Sequence, residues 1–179
     1  SGQLQISFTF AMVVALAAPI VAYAFAVACT RAIAGRALSF KRLFSMLAYV
    51  SLPLAFAYHV AHNVTHLVRE SDGLMDVLRN PLGLDVGPLG MAELHERHVN
   101  TALSADVMAA LQAVMLVGGF WLALRVIMHR TRRAQSDVSV DAAVLTRWAS
   151  MPMTVFAASV TGLNAWLLAQ PMVMRMGAG

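Results

Sequence analysis

An all-α bundle of four transmembrane helices is the fold this sequence predicts, and three observations predict it. Of 179 residues, 59% are hydrophobic and 12% charged, against roughly 25% charged in soluble domains; mean hydropathy is +0.68. The apolar residues gather into four runs, about 8–30, 43–68, 105–128 and 151–174, each long enough to cross a bilayer as a helix. The charges collect between these runs. The chain therefore reads as a single transmembrane domain over 1–179, with a long outer loop at 69–104.

The first run is Ala, Val and Phe with Pro19 near its middle, which predicts a kink accommodated by neighbouring helices. It is too long for a signal peptide, and neither a basic stretch before it nor a small-residue cleavage site after it is present. Because the chain opens on Ser1 rather than Met, it is expected to be processed or to be the membrane part of a longer polypeptide. The first loop carries Arg31, Arg36, Lys41 and Arg42 without an acid, and the third carries Arg130, Arg132, Arg133 and Arg147 against Asp137 and Asp141. Both are expected in the cytoplasm. The second loop holds Glu70, Asp72, Asp76, Asp85, Glu93 and Glu96 against Arg69, Arg79 and Arg97, so it belongs outside, and both termini with it. The positive-inside bias accounts for the basic loops, and the net charge of +4 implies no nucleic-acid partner. Membrane lipid is the partner composition does imply. Cys29 is the sole cysteine; it excludes an internal disulfide and any CxxC site in these residues, and reads as a packing residue.

The second run carries the most informative feature of the chain, three histidines in eight residues: Tyr58-His59-Val60-Ala61-His62-Asn63-Val64-Thr65-His66. Ionisable groups inside a span mark a functional site by default. On a helix, His59, His62, Asn63, His66 and Glu70 share one face. His62 and His66 stand one turn apart, where two imidazoles can share a metal, whereas His59 and His66 are roughly 10 Å apart along the axis. Two roles are more natural than three ligands to one ion. Pro53, one to two turns earlier, is expected to bend the helix and open space beside His59.

In the outer loop, 80–83 and 87–90 read as turns. The pattern becomes helical over 91–103, which predicts a short amphipathic surface helix carrying His95 and His98. The third run holds Gln112, the pair Gly118 and Gly119, which would allow close helix approach, and Arg125, expected to snorkel toward the cytoplasm. His129 lies about a bilayer's thickness from the other histidines and reads as interfacial. The fourth run holds Thr161, Gly162, Asn164 and Trp166 and ends in Gln170-Pro171-Met172-Val173-Met174-Arg175-Met176.

Three chemistries suit the cluster. Bis-imidazole haem b fits an apolar bundle, but imidazoles on one straight helix cannot sandwich a haem. The partner of His59, His62 or His66 would be His95, His98, Met172, Met174 or a residue of another subunit. Copper or zinc is the second: His62 and His66 with His95 or His98 and Glu70 form an N/O set, while Met75, Met91, Met172, Met174 and Met176 suit Cu⁺. The third is a quinol site, in which a histidine paired with Glu70 or Asp72 accepts the quinol proton. A purely structural role is the alternative, with the histidines and Asn63 bonding the second helix to its neighbours.

The run Leu52-Pro53-Leu54-Ala55-Phe56-Ala57-Tyr58-His59-Val60-Ala61-His62-Asn63 with His66-Leu67, then Leu111-Gln112, and the ending Trp166-Leu167-Leu168-Ala169-Gln170-Pro171-Met172 with Arg175 resemble the C-terminal membrane region of bacterial polyferredoxin-type (4Fe-4S) membrane proteins. The cysteine motifs of that family are absent from these residues. The resemblance implies a multi-pass subunit of the bacterial inner membrane that passes electrons between the quinone pool, iron–sulfur clusters and a periplasmic redox protein. The leading expectation is accordingly a non-catalytic electron-transfer subunit of a respiratory complex, with His59, His62, His66, His95 and His98 holding haem b or serving quinol. A copper-handling membrane protein using His62, His66, Glu70, Met172 and Met174 is the alternative, and a non-redox anchor subunit the third. No nucleophile arrangement, phosphate-binding glycine loop or paired-carboxylate site appears.

Overall fold

The computed structural model describes residues 2–34, 39–83, 103–136 and 142–170. Every regular element among them is helical. α1 (Gly2–Ile33) runs through Pro19 without interruption. α2 (Phe40–Leu47) starts at Ser39, whose extended backbone lets its Oγ accept the Arg42 N–H at 3.3 Å, a serine N-cap. A 3-10 turn, Ala48–Val50, joins it to α3 (Ser51–Arg79). Pro53 explains the tightened turn: it has no N–H for the Tyr49 carbonyl, and its ring crowds that carbonyl. α4 spans Ala105–Ser136 and α5 spans Ala142–Leu168, with Pro152 inside.

Four helical stretches are long and apolar enough to cross a membrane: Ile6–Ile33, Phe40–Val68, Ala105–Arg133 and Trp148–Leu168. Two helices outrun their apolar stretches. α3 continues past Val68 to Arg79: the sequence turns polar there, the single Gly73 costs only about 1 kcal/mol inside a helix, and no proline comes before Pro81. The turn expected at 80–83 follows, with the Gly83 N–H on the Asn80 carbonyl at 3.1 Å and Gly83 at φ 62°, a conformation that favours glycine. α5 begins nine residues ahead of the expected apolar run, since Arg147 lowers hydropathy without opposing a helix. The amphipathic helix expected over 91–103 lies, apart from Leu103, outside the described residues.

The helices alternate in direction, so the ends of α1 and α4 and the start of α5 gather at one arginine-rich end, opposite the end of α3. α3 packs chiefly on α4, α4 on α5 and α5 on α1, with α2 against α1. The core cluster draws Tyr23, Val27, Leu43, Leu47, Leu54, Ile127 and Met153 from all five helices, and it sits toward the arginine end. Lipid offers no hydrophobic drive for helix association, so close packing of small residues has to supply it. Ala26, Ala57, Ala61, Ala123, Ala149 and Ala157 are all buried. Gly119 is the tightest point: a Cβ there would overlap the Ala57 Cβ and stand 2.9 Å from the Pro53 carbonyl oxygen, whereas one on Gly118 would meet nothing within 4 Å. Of the two glycines expected to permit close approach, Gly119 does so.

Toward the histidine end the bundle loosens. Residues 6–22 of α1 are exposed at every position, and α1 lies against α5 and α2 rather than α3. The space between α1 and α3 is thereby left open.

Candidate functional site at the histidine face

α3 turns Leu54, Ala57 and Ala61 into the bundle. His59, Asn63 and His66 are exposed, and His62 is half-buried at the boundary between the two faces. The stripe thus shares one face as its spacing predicts, and that face looks away from α4. A neutral imidazole facing hydrocarbon lacks hydrogen-bond partners, so the surface calls for polar cover. Asn63 finds some on its own helix, its Nδ2 donating to the His59 carbonyl at 2.7 Å. On the inner side, Gln112 of α4 donates through Nε2 to the Ala61 carbonyl at 3.1 Å and to Thr65 Oγ1 at 2.8 Å. This polar clamp between α3 and α4 fixes the helix that carries the histidines.

Three rings follow one another along α3. Tyr58 stacks on His62 with centroids 6.0 Å apart and planes 16° from parallel; His62 meets His66 edge-on at 5.2 Å and 69°. Both steps are i, i+4 neighbours. Two imidazoles sharing a tetrahedral ion, with metal–nitrogen distances of about 2.0–2.1 Å, have ring centres roughly 5 Å apart, and the His62 and His66 ring centres have that separation. Among the described residues no group of three or more His, Cys, Asp or Glu could hold a metal. Glu70 lies on α3 one turn past His66, with its side chain outside the described residues. His95, His98, Met172 and Met174 are outside them as well. A haem clasped from both sides does not arise from His59, His62 and His66 alone, since all three leave one helix.

The start of the ring series borders a cavity of about 540 Å³ in the gap between α1 and α3, lined by Pro19, Ile20, Tyr23, Tyr58, Val160 and Asn164 among others. The volume is that of a small-molecule site. Its walls are mostly apolar, and Tyr58 and Asn164 supply polar groups on facing helices. Ile20 is 62% exposed, which puts the mouth on the exposed surface of the bundle. Tyr23, deeper in, is occupied: its hydroxyl donates to the Phe44 carbonyl, and its ring meets Phe44 and Phe156 edge-on at 4.8 and 5.6 Å. Pro53 itself lines a second cavity, with Tyr49, Arg125, His129 and Arg130.

Spacing alone did not single out Tyr58 as the link between a cavity and the histidines. The available signal was an aromatic residue four before His62. Asn164 stood out only as a polar residue in an apolar run, because nothing local places α5 opposite Tyr58.

The helices and their apolar surface define the class: this is a multi-pass α-helical membrane protein. Comparison with protein-family models, with curated proteins and with solved structures returns no match.

Proposed function

We propose that the chain is an electron-transfer subunit of a membrane redox complex, and that it serves quinol at the Tyr58 cavity, with His62 and His66 as the proton-accepting groups. The observation carrying this reading is the continuity of the site. An apolar cavity open toward lipid ends on Tyr58, and the Tyr58, His62 and His66 rings lead from it toward the end of α3. A quinol is an apolar molecule with two ionisable hydroxyls, so it suits a lateral apolar entrance and polar groups at the far wall. Oxidation to the quinone releases two protons and two electrons. Imidazole exchanges a proton near neutral pH, and the electrons pass to a redox partner in the complex. The resemblance to polyferredoxin membrane regions supports the same assignment, with iron–sulfur clusters on a cytoplasmic partner or segment and a redox protein in the periplasm. In this reading the arginine end faces the cytoplasm of a bacterial inner membrane.

If haem b were bound, His59 or His66, exposed on α3, would hold it together with a residue of a neighbouring subunit or with His95, His98, Met172 or Met174, and it would carry the electrons. Sharp reduced-minus-oxidised haem bands that vanish in His59→Gln or in His66→Gln would establish it. Copper handling is the second reading, favoured by the 5.2 Å pairing of His62 with His66; stoichiometric copper without haem iron would shift the assignment to it.

The quinol site is tested by titrating a short-chain quinone analogue into the protein in lipid nanodiscs and following tryptophan quenching. Tyr58→Leu and Asn164→Leu should each weaken binding about tenfold, the value of one lost polar contact in an apolar site. Unchanged affinity in both variants would refute the site.

A further inference from the structure

At the opposite end of the bundle, a cavity of about 440 Å³ lies between α3 and α4, lined by Tyr49, Leu52, Leu122, Arg125, His129 and Arg130 among others. Its lining holds two arginines and a histidine and no carboxylate. Each arginine lies over an aromatic ring: the Arg130 guanidinium is 4.2 Å from the centroid of Tyr49, and that of Arg125 is 4.9 Å from the centroid of Trp121. Stacking engages the flat face of a guanidinium and leaves its in-plane N–H donors open. Among the described residues neither arginine has a carboxylate partner.

Arg125 departs from the sequence expectation in an instructive way. It was expected to snorkel toward the arginine end, yet it reaches back over Trp121, one turn toward the N-terminus of α4, as helical side chains lean. Its Cα is eight residues short of Arg133, about 12 Å along the axis. Arg125 lies within the stretch long and apolar enough to cross a membrane, Ala105–Arg133, where a charge is stabilised by an anionic partner. The surface next to it is apolar, with Leu52 62% and Leu122 48% exposed.

We propose that this cavity binds the headgroup phosphate of one anionic phospholipid. Arg125 and Arg130 donate to the phosphate oxygens, His129 closes the polar side, and the acyl chains run along Leu52 and Leu122. Both parts of the ligand have a counterpart: the in-plane guanidinium donors suit phosphate oxygens, and the apolar flank beside them suits acyl chains. Basic pockets between helices at a membrane's inner face recognise such headgroups.

The test is native mass spectrometry of the whole chain released from detergent after equilibration with phosphatidylglycerol, phosphatidylcholine or inorganic phosphate. One phosphatidylglycerol should be retained in preference to phosphatidylcholine, and inorganic phosphate should not displace it. Replacing both cations, Arg125→Gln with Arg130→Gln, should lower retention about thirtyfold, from about 1 kcal/mol for each arginine. Leu122→Trp keeps every charge but fills the apolar flank, so it tests the site even if the double variant fails to fold, and it should also lower retention. Equal retention of the two lipids, unchanged retention in Leu122→Trp, or displacement by inorganic phosphate would each overturn the assignment.

Discussion

Two adjacent glycines on α4 should respond to the same substitution with opposite signs. At Gly119 an added methyl overlaps the Ala57 Cβ and stands 2.9 Å from the Pro53 carbonyl oxygen, where carbon contacts normally open to about 3.5–4.0 Å. The obstacle is partly backbone, so no rotamer change relieves it; α4 and α3 have to separate. Overpacking of this kind costs about 1–3 kcal/mol. Alanine in place of glycine returns about 1 kcal/mol through helix propensity, which leaves Gly119→Ala destabilising by up to about 2 kcal/mol. At Gly118 the space is open, so only the propensity gain remains, and Gly118→Ala should stabilise by about 0.5–1 kcal/mol. Reversible unfolding in mixed micelles, titrated with a denaturing detergent, reads both values against the parent. The same sign for both variants would refute the packing of α3 on α4, and with it the placement of the histidine face.

Removing the polar clamp with Gln112→Leu should cost about 0.5–1.5 kcal/mol in the same unfolding assay, typical of hydrogen bonds between helices in a membrane. Because Gln112 holds the backbone beside His62, the variant should also weaken quinone-analogue binding; unfolding unchanged from the parent would show that the two bonds carry no load. The His62 and His66 pair, which gains no third His, Cys, Asp or Glu ligand among the described residues, should take up Zn²⁺, and calorimetry should show that uptake vanish in His66→Gln. Tight binding that survives the substitution would place the metal elsewhere.

The sequence disclosed the four spans because hydropathy reports directly on what hydrocarbon accepts. It disclosed helix ends poorly for the same reason: 69–79 and 142–150 are helical but polar or charged in part, and a hydropathy window stops where apolar character stops. The 3-10 turn at Ala48–Val50 follows from Pro53, yet the proline alone does not say whether the helix bends, breaks or tightens. The histidine stripe was legible as a stripe, since 3.6 periodicity puts His59, His62 and His66 on one side. Its direction was not, because that depends on Ala57 meeting Gly119 and on the Ala61 carbonyl accepting from Gln112, residues of a helix some fifty to sixty positions away. Arg125 shows the same limit. Its position at the edge of an apolar run suggested snorkelling, and the deciding neighbour, Trp121, lies on the other side along the helix.

The most direct test of the quinol assignment is photolabelling of the protein in its native membrane with a quinone carrying a photoreactive tail, followed by mapping of the labelled peptides. Adducts are expected on α3 around Tyr58 and on α5 around Asn164, competed away by unmodified quinol. Adducts confined to a separate apolar cavity between α1 and α5, lined by Phe25, Cys29, Met151 and Val155 among others, or indifferent to competition, would contradict the assignment.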